Sequence, residues 1–204
     1  MRRDLALLGR AESGQIGWRV YGWEGLWVTL GRFQSPERDL VDPLSTKWVL
    51  RPTGGKAVLH GHDVTIGLAA PLAQLDADSR SIKSVYRVVI APIVAALRAC
   101  GVPAGLAEET RFSNSGPRTA DCFAFSSSND IVDAETGRKL CGCALRLTHS
   151  AVLVQASIPN GLPLVDPASV IVNADRHNPV EWDASNFCVA FEDAMARFDA
   201  VVPA

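Results

Sequence analysis

The segment that decides the fold is 51–60, which reads Arg-Pro-Thr-Gly-Gly-Lys-Ala-Val-Leu-His. Two adjacent glycines separate two short apolar runs, 47–50 and 57–59, that are typical of strands. Paired glycines allow left-handed backbone angles and a close approach to a ligand, because no Cβ stands in the way. An arginine, a lysine and a histidine surround the turn. From these residues alone, the segment is either a tight structural turn with solvated charges or a loop that binds a ligand.

The lysine that follows the two glycines also raises the question of a phosphate-binding P-loop. The spacing differs from the Gly-x-x-x-x-Gly-Lys-Ser/Thr pattern, and the Ala-Val after Lys56 predicts a strand where a P-loop begins a helix. The sequence therefore argues against a P-loop.

Outward from this segment, strand-like and helix-like stretches alternate in blocks. Apolar spacing predicts helices over 84–100 and 186–198 and a short helix from Leu5 to Gly14. Strands are predicted at 18–21, 26–30, 64–68, 129–132, 138–146 and 151–158, with an irregular loop over 108–125. Strands, a helix, more strands and a helix make an α+β pattern, in which a mixed β-sheet is covered by helices. We expect residues 1–204 to form a single domain.

Bulk composition narrows the function classes. The chain is 48% hydrophobic and 21% charged, with a formal net charge of −2, so it should fold and has no electrostatic reason to bind nucleic acid or an anionic membrane. No apolar run reaches bilayer-spanning length and the N-terminus lacks a signal-peptide pattern. We expect a cytoplasmic protein.

Two side chains are candidates for chemistry. Cys122 lies at the end of the irregular loop, where a nearby cation can stabilise a thiolate and make it nucleophilic. Lys139 begins an apolar strand, so its pKa is a candidate for lowering and its amine for contact with a carbonyl or phosphoryl oxygen. The alternative for Lys139 is a strand-end side chain that extends to water.

The pattern for a metal site is incomplete. His60 and His62 share one side of a strand and Cys141 and Cys143 form a second pair, but no further histidines or cysteines complete four ligands at metal-binding spacing. We expect no metal, and small packed strand residues at both cysteines.

Four segments, in order, resemble the lipoate-protein ligase and octanoyltransferase family, which shares its catalytic fold with biotin ligases. The segment 51–60 resembles that family's Arg-Arg-Pro-Thr-Gly-Gly-Arg-Ala-Val-Leu-His signature, whose first arginine corresponds to Leu50 here, and 30–38 resembles its Leu-Gly-Arg-Phe-Gln-x-Pro segment. Residues 129–144 resemble Asp-Leu-Val followed by Gly-Arg-Lys-Ile-x-Gly-Ser-Ala, and 154–159 resemble Gln-Gln-Gly-Ser-Ile-Pro. The chain departs from the pattern at Leu50, Lys56, Cys143 and Ala156.

The resemblance implies a class II biotin/lipoate ligase-like catalytic domain and a set of site residues. Lys139 matches the family lysine that contacts the acyl carbonyl or phosphate, and the glycine loop is expected to cover the acyl chain. The substrate-binding residues expected from the resemblance are Arg32, Arg51, Thr53, Gly54, Gly55, Lys56, His60 and Gly142.

The family contains two chemistries. Ligases activate lipoate with ATP and Mg and often carry a C-terminal accessory domain, whereas transferases take octanoate from acyl carrier protein through a cysteine thioester. Cys122-Phe123 corresponds to the nucleophile position of one transferase subgroup, and no cysteine lies at 165–175, where the other subgroup places it. We expect no accessory domain.

Three hypotheses follow from the resemblance. The first is an octanoyl (or lipoyl) transferase with Cys122 and Lys139 as catalytic residues, no tightly bound cofactor, and octanoyl-acyl carrier protein as donor. Its acceptors are lipoyl-domain proteins of the 2-oxoacid dehydrogenase E2 or glycine-cleavage H type. The second is an ATP-dependent lipoate-protein ligase, with or without a separate accessory subunit. The third is a non-catalytic acyl-binding protein on the same fold.

Overall fold

Two β-sheets form the centre of the chain in a computed structural model that describes residues 1–78, 81–112, 119–175 and 177–201. The strands are β1 Gly17–Tyr21, β2 Trp27–Leu30, β3 Trp48–Leu50, β4 Val58–His60, β5 Asp63–Pro71, β6 Ala104–Leu106, β7 Ile131–Asp133, β8 Lys139–Leu147 and β9 Ala151–Pro159. The helices are α1 Arg2–Glu12, α2 Pro36–Asp39, α3 Ile82–Ala99 and α4 Phe187–Val201, with single 3-10 turns at Leu72–Gln74, Ala107–Glu109 and Pro167–Ser169.

The larger sheet has the strand order β1-β5-β9-β8-β7-β6, and all its neighbouring pairs are antiparallel. The smaller sheet has the order β3-β2-β4, in which β2 runs parallel to β3 and antiparallel to β4. Strand directions are therefore mixed, and helices cover the sheet, as the sequence predicts for an α+β fold.

Side-chain alternation along the long strands separates the two faces of the larger sheet. On β9, Val152, Val154 and Ile158 join the main core with the helices α3 and α4. The intervening Leu153 packs with α1, and further along the same face Gln155 and Ser157 line a cavity. One face of the larger sheet therefore carries the main core. The other face packs against α1 at one end and lines the cavity at the other.

The closing helix packs its aromatic face into the core, as its spacing predicts. Phe187 and Phe191 are fully buried and stack on each other with ring centroids 5.9 Å apart. Trp18 of β1 meets Phe191 edge-on at 5.4 Å. These contacts hold α4 against the face of the larger sheet that lies away from the cavity.

The structure excludes one of the two interpretations of the double glycine, the simple tight turn. The strands on either side of it, β3 and β4, do not pair with each other as a hairpin; each pairs with a different edge of β2. The segment between them therefore crosses over the end of β2 and cannot be a simple tight turn. The predicted meander of β7, β8 and β9 is confirmed, whereas the short α2 and β6 were not predicted. Part of the predicted loop, 113–118, lies outside the described residues.

Candidate active site

The glycine loop is held in place by Arg51, whose guanidinium lies beneath it. Its Nε and Nη2 donate to the Gly54 carbonyl at 3.1 and 2.7 Å, and Nη2 also donates to the Lys56 carbonyl at 2.6 Å. Nη1 donates to the carbonyl and hydroxyl of Thr29 on β2. Burial lowers the pKa of Arg51 to about 10, so the group remains charged at neutral pH. With its donors used on the protein, Arg51 shapes the loop and has no N–H left for a ligand.

Two glycines explain why the loop can lie so close to β2. Gly55 has a φ of +85°, a left-handed conformation that side chains with a Cβ rarely adopt. At Gly31, just after β2, an added Cβ would overlap the carbonyl oxygen of Gly55. The loop can therefore reach its position only because both residues lack a side chain.

The segment that carries Cys122 is attached directly to the end of the glycine loop. Ala57 and Asp121 form a parallel bridge, in which the Cys122 N–H donates to the Ala57 carbonyl at 2.9 Å. The Gln34 amide adds a second tie, because it donates to the Ala120 carbonyl and accepts from the Gly31 N–H. The conformation of the glycine loop thus fixes the position of Cys122.

Cys122 and Lys139, which are 17 residues apart in the sequence, meet at this point. The Lys139 Nζ lies 3.7 Å from the Cys122 Sγ, and it donates to the Cys122 carbonyl and the Asp130 carboxylate at 2.8 Å each. The lysine side chain is only 7% exposed. It therefore does not extend to water, which excludes the alternative considered from the sequence.

The charge on Lys139 differs from the sequence prediction. Burial by itself lowers the pKa of Lys139, but electrostatic interactions with Cys122 and with the Asp130 carboxylate outweigh burial, and the pKa of Lys139 lies well above its usual range. The prediction of a lowered pKa was wrong, because an acidic partner lies within contact distance. Lys139 is thus a fixed ammonium group suited to stabilising negative charge on sulfur or oxygen.

Gly142 forms the floor under the nucleophile candidate. A Cβ at this position of β8 would lie 2.9 Å from the Cys122 Sγ and 3.4 Å from the Phe123 ring. A glycine is therefore needed for the thiol to approach the sheet.

A narrow cavity of about 40 Å³ extends from Cys122 between the two sheets. This is smaller than the roughly 300–1,000 Å³ that is typical of small-ligand sites, so its walls must move apart to admit a ligand chain. Its walls come from both sheets and from the glycine loop. The lining residues are Met1, Tyr21, Trp23, Thr29, Arg51, Gly55, Val58, His60, Thr65, Cys122, Gly142, Cys143, Ala144, Gln155, Ala156 and Ser157.

The polar groups of this lining already have protein partners. His60 bonds through Nδ1 to Asp63 and through Nε2 to Thr29, and its ring stacks on Trp23. Asp63 also accepts from Thr65 and Ser157. Although burial opposes ionisation, these donors lower the pKa of Asp63 below its usual range. Because few hydrogen-bonding groups are left unmatched, the cavity suits an aliphatic chain.

A second, more polar cavity of about 330 Å³ lies on the other side of Lys139. Phe123, Phe125, Arg138 and His177 contribute to its walls. Cys122 and Lys139 therefore lie between an apolar cavity and a polar one, an arrangement that matches an acyl group joined to a polar carrier.

Comparison with known proteins identifies the family. The model of the lipoyl protein ligase A/B catalytic domain matches residues 12–198. The chain belongs to this family.

Curated relatives of the chain include octanoyltransferases from several bacteria. The chain is 34% identical over 169 residues to the octanoyltransferase LipM of Exiguobacterium sp., and the match covers 78% of this chain and 60% of that protein. Thus the chain spans about 60% of the length of this curated relative.

Solved structures with the same fold include two from Thermoplasma acidophilum. Protein Ta0514 with bound lipoic acid has a TM-score of 0.72 at 20% identity, over 96% of this chain and 78% of that one. A bipartite lipoate protein ligase, studied with its E2 lipoyl domain, has a TM-score of 0.66 at 18% identity, over 97% and 79%. At these identities the likeness shows the fold alone.

Most of the residues expected from the family pattern come together, but not all line a cavity. Thr53 is fully buried beneath the loop, where its hydroxyl donates to Gln155 at 2.8 Å. Arg32 is exposed and lies over the Phe33 ring at 4.4 Å. Lys56 contributes its carbonyl to Arg51. These three and Gly54 lie outside the walls of the apolar cavity, in contrast to Arg51, Gly55, His60 and Gly142.

Sequence reasoning missed two acidic groups and a histidine. Asp130 pairs with Lys139, and it lies within one of the family-like segments, where its role could have been noticed. The Asp121 Oδ2 and the His177 Nε2 lie 2.7 Å apart in a buried pair. The two residues are 56 positions apart in the sequence, so no local pattern predicts their contact.

The structure also bears on metal and membrane binding. Within the described ranges, no group of three or more His, Cys, Asp or Glu side chains is arranged to hold a metal ion. Cys141 and Cys143 lie with their Sγ atoms 3.3 Å apart, and burial raises the pKa of the Cys141 thiol. Among the residues described, no helix has the length and apolar character needed to cross a bilayer.

Proposed function

We propose that the chain transfers octanoyl, or lipoyl, groups to lipoyl-domain proteins through a thioester on Cys122. The observation that carries this proposal is the 3.7 Å separation between the Cys122 Sγ and the Lys139 Nζ, at the point where the apolar cavity ends. An ATP-dependent ligase needs no thiol there. A transferase that forms a covalent intermediate needs a thiol next to a cation and next to the acyl chain.

In the first half of the reaction, the Cys122 thiolate attacks the carbonyl carbon of an acyl thioester on a carrier protein. A new C–S bond forms, the carrier's C–S bond breaks, and the carrier sulfur leaves and takes up a proton. The ammonium of Lys139 stabilises the thiolate before attack and the oxyanion during it. The N–H of Gly55, which has no acceptor among the described residues, is a second candidate donor to this oxyanion.

In the second half, the neutral amine of the acceptor lysine attacks the Cys122 thioester. The C–N bond forms, the C–S bond breaks, and the electron pair returns to Cys122 as a thiolate beside Lys139. The aliphatic tail stays in the apolar cavity through both halves, which keeps the carbonyl carbon at the cysteine.

The identities of donor and acceptor rest on the comparisons. The relative at 34% identity is an octanoyltransferase, which favours an octanoyl donor such as octanoyl-acyl carrier protein. A structural neighbour was studied with an E2 lipoyl domain, which favours a lipoyl domain of the E2 or related H-protein type as acceptor.

The second candidate is an ATP-dependent lipoate-protein ligase with lipoate, ATP and Mg as substrates. The polar cavity beside Lys139 favours it, because about 330 Å³ lined in part by Arg138 and Lys139 can accommodate a phosphate-bearing group. In that case Lys139 contacts the adenylate, and Cys122 has no covalent role.

A transfer assay separates the two candidates. The chain is mixed with a lipoyl domain and either octanoyl-acyl carrier protein without ATP, or lipoate with ATP and Mg, and the mass of the lipoyl domain is measured. We expect labelling in the first mixture and its loss in Cys122→Ala, while Cys188→Ala, a change at an exposed cysteine, labels like wild type. Labelling that needs ATP and survives Cys122→Ala would instead establish the ligase.

A further inference from the structure

The proposed reaction delivers an acyl group to a lysine amine, and the chain has a lysine amine of its own beside the thioester. The Lys139 Nζ lies 3.7 Å from the Cys122 Sγ, and the acyl carbon is one bond away from that sulfur. Groups held this close react as if each were present at about 10⁵–10⁸ M, far above the concentration of any acceptor protein. A neutral Lys139 would therefore take the acyl group before a lipoyl domain could.

The contacts of the Lys139 Nζ leave no room for a lone pair on that nitrogen. Nζ donates to the Cys122 carbonyl and to the Asp130 Oδ2 at 2.8 Å each, and the Phe125 carbonyl oxygen lies 3.5 Å away. Three oxygen acceptors match the three N–H groups of an ammonium. A neutral amine would have to direct its lone pair at one of these oxygens. The geometry therefore favours the protonated form, which cannot attack a carbonyl carbon.

Asp130 is the countercharge that remains when Cys122 is acylated. In the free enzyme, interactions with both Cys122 and Asp130 raise the pKa of Lys139 against the effect of burial. A thioester sulfur carries no charge, so the interaction with Cys122 disappears in the acyl-enzyme. Cys141 does not replace it, because burial raises the pKa of that thiol and keeps it neutral. The Lys139 side chain is only 7% exposed, and burial of a lysine without a countercharge favours loss of its proton.

The Asp130 carboxylate is itself held in its charged form. Its Oδ2 accepts from the N–H and the hydroxyl of Ser127 at 2.6 and 2.9 Å, and such bonds favour the ionised carboxylate. The other ionisable side chains of this cavity wall and of the Cys122 segment are Arg138, His177 and Asp121, and Asp121 is bonded to His177. Within the described part of the chain, Asp130 is therefore the carboxylate in contact with Lys139.

We propose that Asp130 is a positioning residue that keeps Lys139 protonated in the acyl-enzyme and thereby preserves the Cys122 thioester for the lysine of an acceptor protein. This inference rests on the proposed function, because it concerns the acyl-enzyme of that reaction. Without the carboxylate, the Lys139 amine attacks the thioester carbon. The C–N bond forms, the C–S bond breaks, and the proton that the nitrogen loses passes to the Cys122 sulfur. The product is an amide on Lys139 beside a free thiol, and that molecule can no longer catalyse transfer.

Hydroxylamine distinguishes the two products, because it removes acyl groups from sulfur and leaves amides intact. Wild type and Asp130→Asn are acylated with octanoyl-acyl carrier protein without ATP, separated from the donor and kept at pH 7 and at pH 9. The hydroxylamine-resistant octanoyl group on the Lys139 peptide is then measured by mass. We expect this amide to form about 100-fold faster in Asp130→Asn, since an opposite charge in contact shifts a pKa by about 1–3 units. Its formation should be faster at pH 9, while wild type keeps its thioester.

Matched variants separate the charge of Asp130 from its packing. Asp130→Glu keeps the charge and should preserve the thioester, and Glu135→Gln, an exposed change in the turn between β7 and β8, should match wild type. Asp130→Asn combined with Lys139→Arg should accumulate no amide, because a guanidinium stays protonated. Asp130→Asn combined with Cys122→Ala should gain no octanoyl group, which would show that the acyl group reaches Lys139 through Cys122.

Three results would overturn this inference in a chain whose wild type forms the thioester. In the first, Asp130→Asn keeps a hydroxylamine-sensitive thioester as long as wild type does at both pH values. In the second, wild type forms the amide as fast as Asp130→Asn. In the third, Asp130→Asn gains no octanoyl group, which would place Asp130 in the first half of the reaction. If the wild-type chain itself forms no acyl-enzyme, the proposed function fails first and this inference falls with it.

Discussion

At the residue scale, the chemistry of the site depends on a close approach of Cys122 to the sheet. Lys139 is buried, charged and paired to Asp130, so it cannot follow the thiol if the thiol moves. The separation between sulfur and ammonium is therefore set by what lies beneath Cys122, which is the bare backbone of Gly142.

Gly142→Ala tests this dependence directly. The added methyl would lie 2.9 Å from the Cys122 Sγ and force the thiol and the Phe123 ring away from Lys139. We expect acyl-enzyme formation to slow at least tenfold, equivalent to about 1.4 kcal/mol, with a loss of stability of about 1–3 kcal/mol from overpacking. The rate of acyl-enzyme formation is measured by quenching the reaction at successive times and determining the intact mass of the chain.

Gly105→Ala on β6 is the matched control for that change. A Cβ there meets its nearest neighbours at 3.9 Å, so we expect near wild-type acylation. Unchanged acylation in Gly142→Ala would contradict the account of the site.

At the element scale, the crossover between β3 and β4 places the glycine loop over the cavity. Arg51 supports the loop from below and Gly31 allows it to approach β2. The same loop continues into Ala57, which holds the Cys122 backbone. The cover of the apolar cavity and the position of Cys122 are therefore coupled, because the same loop determines both.

Gly31→Ala should disturb both functions of the loop. Its methyl would overlap the Gly55 carbonyl, and the loop must move outward. We expect the KM for octanoyl-acyl carrier protein to rise about tenfold, near 1.4 kcal/mol, together with slower acylation. Gly22→Ala, where a Cβ meets nothing within 4 Å, serves as control; an unchanged KM in Gly31→Ala would show that the loop does not cover the substrate.

The sequence predicted these elements unevenly. Long elements such as α3, α4 and β9 could be predicted from the sequence, because apolar residues recur in them at helix or strand spacing over many positions. The crossover at the double glycine could not, because β3 and β4 are three residues each and their partner β2 lies far upstream. Cys122 and Lys139 could be singled out from their positions in the loop and strand, and the family resemblance then gave them roles. Asp121 and His177 are joined by tertiary contact alone, across 56 residues.

At the scale of the whole molecule, the larger sheet separates stability from chemistry. The face toward α3 and α4 carries the main core, and the opposite face carries the buried polar groups that line the apolar cavity. Asp63 ties three elements together there, since it accepts from His60, Thr65 and Ser157.

This arrangement makes part of the stability sensitive to acid. Because the folded pKa of Asp63 is lower than its unfolded value of about 3.9, its contribution is present above that value and is lost as pH falls through the folded pKa. We expect Asp63→Asn to cost about 1.5–3 kcal/mol at pH 7, with a difference from wild type that shrinks below about pH 4. Urea unfolding of the wild type and the variant at pH 7 and at pH 3 measures this difference in unfolding free energy.

The exposed Asp193→Asn on α4 is the control and should leave the unfolding free energy within about 0.5 kcal/mol of wild type. A difference between Asp63→Asn and wild type that is equally large at pH 3 and pH 7 would show that the carboxylate charge is not what stabilises this corner.

The most direct test of the central claim is whether Cys122 carries an acyl group. The chain is mixed with octanoyl-acyl carrier protein in the absence of ATP, and the intact mass and the cysteine-containing peptides are measured. We expect one octanoyl group per chain, on the peptide that contains Cys122, removed by hydroxylamine and absent from Cys122→Ser. No adduct on the wild-type chain, or an equal adduct on Cys122→Ser, would contradict it.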